Sequence, residues 1–336
     1  MPLERNDLKM NPESCALLAL FAWSIVPTCV AALDVIQPDF PPLQTAFLFS
    51  LIGVLALAIT FAAVPKMREM YLENFLGYAS RPKHIVRFML LGLFGTIVYY
   101  PLYVLSFNYL SPPEVSALNY TWPVFLLLFG YLFRRWRAKV EEKPNSRRLV
   151  LELLGLITTS FGAFLVITKG SILSINANVG VFYIIIAAAS QALFFFLPQT
   201  VWFDYDEPLA VFAGLATGVP ILGLFSFFSG TMSFPVNNWA WSPLFLIGVV
   251  GVALGYVMSL RALTKGETLR VIGIIYLVPI GQAVLAVLWE ALIQGAGVSA
   301  FKLHIILGIA CVFFARFFFY LSDDKTRSSD LPKKSK

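Results

Sequence analysis

FMLLGLFGTIVYYPLYVLSFNYL (residues 88–110), PEVSALNYTWPVFLLLFGYLF (residues 113–133) and RRWRAKVEEKPNSRR (residues 134–148) follow one another with only Ser111 and Pro112 intervening, and they decide the fold. Each of the first two runs is apolar enough and long enough to cross a bilayer as a helix, which takes roughly 20 residues. Ser111 and Pro112 leave room only for a tight return. The third run carries seven Lys and Arg residues and stops the apolar pattern abruptly. A helical hairpin in a membrane, followed by a basic loop, is the expected structure. Helices satisfy their own backbone hydrogen bonds in lipid, so this is how an apolar run crosses.

Outward from this hairpin the same pattern recurs. Ten spans can be drawn, at about Ser14–Leu33, Leu43–Val64, Phe88–Leu110, Pro113–Phe133, Leu149–Thr168, Val179–Gln199, Leu209–Ser229, Trp241–Leu263, Leu269–Ala291 and Leu303–Leu321. Of the 336 residues 58% are hydrophobic and 13% charged, against about 25% charged in soluble domains. That composition excludes a soluble globular fold. Ser14–Leu33 is long for a signal peptide and is interrupted by Trp23, Ser24, Pro27 and Thr28, so it reads as an uncleaved first helix. The long connections Pro65–Arg87 and Arg134–Arg148 read as charged loops, and residues 322–336 as a disordered cytoplasmic tail.

The basic residues set the orientation. With the N-terminus in the cytoplasm, 23 of the 25 Lys and Arg residues fall on the cytoplasmic side, and only Lys169 and Lys302 fall outside. Cytoplasmic loops carry such an excess of positive charge. One extra or missing helix in the middle would reverse the later loops and blur the split. Ten spans with both termini cytoplasmic in a plasma (inner) membrane is therefore the expected topology. The net charge of +6 reflects membrane orientation, not nucleic-acid binding.

An ungapped comparison of Gly92–Phe133 with Gly248–Trp289, at an offset of 156, pairs Gly92 with Gly248, Gly95 with Gly251, Tyr100 with Tyr256, Val115 with Val271, Tyr120 with Tyr276, Pro123 with Pro279 and Leu132 with Leu288. Glycines and prolines mark special backbone positions, so their agreement weighs more than the count. The repeat unit is five helices, residues 1–168 and 169–321. An odd number of crossings gives the halves opposite orientation in the membrane. The expected fold class is all-α integral membrane, ten transmembrane helices in two five-helix inverted-topology repeats, an arrangement used by transporters with a substrate site near the midplane.

No phosphate-binding loop, nucleophile elbow or zinc-protease motif occurs, so neither nucleotide hydrolysis nor other catalysis is expected, and no catalytic residue or cofactor. The three cysteines and two histidines have no metal-ligand spacing. The prolines carry more. Pro27, Pro123 and Pro279 each deprive the carbonyl four residues earlier of its helical donor, those of Trp23, Asn119 and Ile275. Close by in depth lie Tyr99, Tyr100, Tyr103, Tyr120, Trp122, Tyr256 and Tyr276. Phenols inside a membrane need partners, and a packed aromatic interface competes with a cavity as the explanation. The expected substrate-binding set is Trp23, Tyr99, Tyr100, Asn119, Tyr120, Trp122, Pro123, Tyr256, Tyr276 and Pro279. Acidic residues lie at helix ends or in loops, with Asp34, Glu114, Glu152 and Glu290 nearest the spans.

The run Glu114-Val115-Ser116-Ala117-Leu118-Asn119-Tyr120-Thr121-Trp122-Pro123, with Trp23-Ser24, with Pro65 followed by Lys66 and Arg68, and with Tyr276-Leu277-Val278-Pro279, resembles the EamA-like drug/metabolite transporter superfamily. It is most similar there to the aromatic amino acid exporters. Tyr99-Tyr100 and Ile275 depart from their pattern. The resemblance implies a central cavity and the export of aromatic or large neutral amino acids or related metabolites by alternating access. The alternative within the class is an exporter of lipophilic cations or other metabolites. A membrane-embedded enzyme would need clustered ionisable groups, and a scaffold would need no polar cavity. The expected partners are a small-molecule substrate and the lipid bilayer, with the chain a monomer or weak homo-oligomer.

Overall fold

The computed structural model describes residues 10–110, 112–137, 178–200, 205–266 and 268–275 throughout, and separate positions within 150–165, 277–285 and 307–321. Every regular element among them is helical. We label them α1 (Pro12–Ile36), α2 (Pro42–Ala63), α3 (Pro82–Ser106), α4 (Pro112–Asn119), α5 (Trp122–Arg137), α6 (Val179–Gln199), α7 (Glu207–Phe228), α8 (Asn238–Lys265) and α9 (Thr268–Ile275). Six of these, α1, α2, α3, α6, α7 and α8, are long and apolar enough to cross a membrane, and each coincides with an expected span. The expected fourth span is divided into α4 and α5. Much of the spans expected at 149–168, 269–291 and 303–321, and all of the tail 322–336, lies outside the described residues.

Local chemistry fixes the helix starts. Asn11 accepts from the Ser14 amide at 2.7 Å with Pro12 in the first turn of α1. Asn178 accepts from the Val181 amide at the start of α6, and its Nδ2 donates to the Tyr109 carbonyl at 3.1 Å. Asparagine at this position satisfies amides that a helix start leaves open. α1 is interrupted at Ile25, two residues before Pro27. The α4–α5 break at Tyr120–Thr121 stands just before Pro123, for the same reason: proline removes a helical bond.

One connection differs from expectation. Residues 65–79 are helical throughout, where the sequence read as a charged loop, and α3 begins at Pro82 rather than Phe88. The charges concealed an amphipathic pattern. Met67, Tyr71, Leu72 and Phe75 pack on the core, with Phe75 stacked on Phe88 at 5.4 Å and edge-on to Phe212 at 5.1 Å. Arg68 and Glu73 pair on the exposed face at 3.5 Å. Such a helix suits the boundary between lipid tails and headgroups. Beyond its end, His84 Nδ1 is hydrogen-bonded to the Tyr205 hydroxyl, and Tyr78 in its last turn packs on both rings. Burial pushes the Tyr205 phenol above its ordinary value, against the opposing pull of Arg87.

In lipid, helices associate through close packing at small residues. A Cβ on Gly92 of α3 would stand 2.4 Å from Thr217 Oγ1 and 2.9 Å from the Gly218 amide of α7. Its repeat partner Gly248 of α8 stands equally close to α2, 2.7 Å from Ile52 and from the Phe49 carbonyl. Gly95 meets Phe194 of α6, and its partner Gly251 meets Val26 of α1. The contacts are reciprocal: α3 packs on α6 and α7, and α8 packs on α1 and α2. π-helical segments occupy related places in the two helices, Leu93–Val98 and Leu246–Leu254. Gly92→Ala should lower the thermal midpoint of the purified protein by forcing apart backbones, an overpacking cost of roughly 1–3 kcal/mol. Gly77→Ala, where a Cβ meets nothing within 4 Å, should leave it unchanged or slightly higher. Equal midpoints for the two variants would refute the close-packing account.

Candidate functional site

Between the helices lies a small cavity lined by Trp23 and Val26 of α1, Phe49 of α2, Tyr99, Tyr100 and Tyr103 of α3, Asn119 and Tyr120 at the α4 break, Gln191 of α6, Ile247, Gly251, Val252 and Tyr256 of α8, and Gln282. Small-molecule sites are mainly apolar with a few placed polar groups, and this lining has that character.

Trp23 is its structural centre. The indole Nε1 donates to the Gly251 carbonyl at 3.2 Å. In the π-helical segment the Gly255 amide turns to Val250 and Val252 rather than to Gly251. π-type turns are enriched at functional sites. The Trp23 ring meets Tyr256 at 5.6 Å, Phe195 at 5.8 Å and Trp122 at 6.2 Å. Its own carbonyl, deprived of a helical donor by Pro27, accepts from Gln282 Nε2 at 3.0 Å. Gly255 lets the indole lie flat on α8, since a Cβ there would come within 2.7 Å of Trp23 Nε1.

The phenols form a continuous cluster. Tyr99 lies 5.1 Å from Tyr100, 5.6 Å from Tyr103 and 6.4 Å from Tyr256. Tyr100 and Tyr256, repeat partners in the sequence, meet edge to face at 5.9 Å. Three amides stand around them. Asn119 Nδ2 donates to the Tyr99 hydroxyl at 3.3 Å, and Gln191 Nε2 to the Tyr256 hydroxyl at 3.4 Å. The oxygens of all three amides, Asn119 Oδ1, Gln191 Oε1 and Gln282 Oε1, are buried without a protein partner. A buried polar group left unpaired costs about 1–3 kcal/mol, so three on one cavity mark a site built to hold something polar.

Of the ten residues expected from the sequence, Trp23, Tyr99, Tyr100, Asn119, Tyr120 and Tyr256 come together on this cavity. Trp122 and Pro123 do not reach its surface. The chain turns at Tyr120–Thr121, and Trp122 is fully buried behind Trp23 and against Phe195 at 5.0 Å, its Nε1 also without a partner. Tyr276 and Pro279 lie outside the described residues. Gln191 and Gln282 are the amide-bearing members that the sequence did not single out. An isolated amide inside a long apolar run was the available signal, since such a residue in lipid has to face a partner or a cavity.

Acidic residues do not line the cavity among the described residues. Among the described residues the buried carboxylate is Glu207, in the first turn of α7, which accepts from Thr264 Oγ1 at 2.6 Å and faces Lys265 Nζ at 3.8 Å. The sequence reading put acidic residues at helix ends or in loops; Glu207 stands at a helix start, and these partners stabilise it at the end of the bundle. Gln191→Met keeps volume, removes one unpaired oxygen and loses only a long hydrogen bond. It should leave the thermal midpoint unchanged or raised while weakening ligand binding roughly tenfold or more, the sign of a residue kept for function. A large drop in the midpoint would show that Gln191 serves the fold instead.

Residues 11–168 match the model of the EamA-like transporter family, and the part of the cavity from Trp23 to Tyr120 falls inside that match. The chain is 26% identical over 243 residues to the uncharacterized transporter YvbV of Bacillus subtilis, covering 71% of this chain and 72% of that one. It is 26% identical over 200 residues to an uncharacterized transporter of Archaeoglobus fulgidus, covering 58% and 65%. A solved crystal structure, 16% identical, shares the fold with a TM-score of 0.60 over 95% of this chain and 99% of that one. Six membrane-length helices, a polar-studded aromatic cavity and relatives named as transporters lead to one assignment: this is a multi-pass membrane protein whose residues 11–168 are similar to the EamA-like transporter family.

Proposed function

We propose that the chain is a secondary transporter that exports aromatic or large neutral amino acids, or closely related small metabolites, by alternating access. The observation that carries this reading is the cavity, where phenol and indole rings offer a surface for a flat apolar side chain and unpaired amides offer partners for a polar head. Two inverted five-helix halves fit the reciprocal packing of α3 on α6 and α7 and of α8 on α1 and α2. In that scheme Tyr100 and Tyr256 sit beside the axis relating the halves, and the breaks at Ile25 and Tyr120–Thr121 serve as hinges. The halves rock about the cavity, closing one mouth as the other opens. With no carboxylate on the described lining, transport runs as exchange or efflux down the substrate gradient, without proton coupling.

Liposomes containing the full chain and preloaded with unlabelled phenylalanine should take up labelled phenylalanine transiently by exchange, and an imposed pH gradient alone should drive no accumulation. Failure to exchange any aromatic or large neutral amino acid would overturn the substrate assignment. Accumulation driven by the pH gradient and abolished by Glu114→Gln would overturn the uncoupled mechanism. For topology, the charge split supports a cytoplasmic Arg134–Arg148 and cytoplasmic termini. Single cysteines at Lys169 and Asn145 should differ accordingly, an impermeant reagent reaching the first in intact cells and the second only after permeabilisation. The reverse pattern would refute the orientation.

A further inference from the structure

We infer that the connection between α7 and α8, residues 229–237 with the first turn of α8, is seated in the membrane. Its outward side chains lie at the boundary between acyl chains and headgroups, in the leaflet opposite Glu207 and Arg261. This property is independent of the transporter reading and of the cargo. The loop is built inside out. Residues 208–260 carry no charged side chain, and the hydroxyls of the connection turn onto the protein. Ser229 Oγ donates to the Ser226 carbonyl at 3.1 Å and lies 2.9 Å from Thr231 Oγ1, and Ser233 Oγ donates to the Thr231 carbonyl at 3.4 Å. Gly230, at φ +69, makes the turn that brings the Thr231 amide back to the Ser226 carbonyl. Beyond it Thr231, Ser233 and Pro235 are partly or wholly covered, and Met232, Phe234 and Val236, alternating with them, are exposed. Val236 is 92% exposed and Trp239 75%. A connection that runs through water shows the reverse pattern, polar side chains out. Exposed apolar patches mark surfaces that a partner or a membrane covers.

The flanking helices set the depth and identify the membrane as the cover. α7 runs from Glu207 to Phe228, and α8 runs from Trp241 to Arg261 before a charge appears. At about 1.5 Å per residue each stretch covers roughly 30 Å, the thickness of the hydrocarbon core. With Glu207 and Arg261 at one edge, Phe228 and Trp241 stand at the other, and the loop joins them at headgroup level. The apolar surface is continuous across it, since Phe225 and Phe228 of α7 and Phe245 and Val249 of α8 are exposed on either side. Tryptophan concentrates at that boundary, where Trp239 and Trp241 stand. The opposite face of the loop is held to the end of α1. The Val236 amide donates to Gln37 Oε1 at 3.1 Å, and Asn237 Nδ2 donates to the Ile36 carbonyl at 3.4 Å. With no charge on the loop, its seating is indifferent to headgroup charge, unlike that of a basic segment.

The test uses the full chain in lipid nanodiscs with a nitroxide on Val236→Cys or Phe234→Cys. Cys311 is replaced by alanine, and Cys15 and Cys29 are buried and stay unlabelled. In power-saturation measurements both labels should collide severalfold more with oxygen, which dissolves in acyl chains, than with a water-soluble nickel chelate. The ratio should be the same in phosphatidylcholine and phosphatidylglycerol discs. Greater access to the chelate would place the loop in water and overturn the inference. Immobilised labels shielded from both reagents would mean that a second copy or another protein covers the loop, and would refute it equally, as would seating in phosphatidylglycerol alone. A second measurement needs no cysteine. The emission of Trp239, read as the difference between the unaltered chain and Trp239→Phe, should be quenched more strongly by lipids brominated near the headgroup than by lipids brominated near the chain end or by aqueous iodide. Quenching chiefly by iodide would count against a membrane-seated loop whatever the labels report.

Discussion

The hydrogen bond from Trp23 Nε1 to the Gly251 carbonyl joins the two halves of the sequence where both helices are irregular. Two departures from α-helical order meet there. Pro27 interrupts α1 just after Trp23, and the π-helical winding of α8 turns the Gly255 amide away from Gly251. In lipid a freed backbone group has to be satisfied within the protein. Gln282 satisfies the one that Pro27 frees, at the Trp23 carbonyl. Trp23 is thereby held as the ring on which Tyr256, Phe195 and Trp122 converge.

Helix packing and the cavity are two results of the same residue placement. Where glycines face a neighbouring helix, as at Gly92 and Gly248, the helices touch. Where tyrosines stand on the same helices at Tyr99, Tyr100 and Tyr256, they hold the helices apart. α3 and α8 are each small-residue contact surfaces in one part of their length and aromatic walls in the next. The stability surrendered by leaving amide oxygens unpaired is affordable because the glycine contacts lie elsewhere.

Much of this was legible in the sequence. Apolar runs of membrane length located α1, α2, α3, α6, α7 and α8, because in lipid hydrophobic length and helix length are nearly the same quantity. The prolines located the breaks in α1 and between α4 and α5, since proline cannot keep the helical bond wherever it stands. Five of the cavity residues followed from phenols and indoles at proline depth, and Asn119 from the carbonyl that Pro123 deprives of its donor. The rest was hidden for physical reasons. The helix at 65–79 was masked by charges that lie on its exposed face. Gln191 and Gln282 have no repeating pattern, and only their neighbours in space reveal that they share a cavity. The direction in which Trp122 faces depends on the turn at Tyr120–Thr121, a backbone detail without a one-dimensional signature.

The lack of a charged side chain on the described lining has an electrical consequence. A carrier whose walls hold no ionised group moves, in each cycle, only the charge of its cargo. A zwitterionic amino acid crosses electroneutrally, and the membrane potential neither helps nor opposes it. A protonated amine in the same cavity carries one elementary charge, worth about 2.3 kcal/mol per 100 mV. In a cell that is negative inside, that potential retains the amine and leaves the zwitterion free to follow its concentration gradient. A neutral and a charged ligand held by the same contacts would thus part company at the membrane, sorted by voltage. Current across a planar bilayer containing the protein distinguishes them directly.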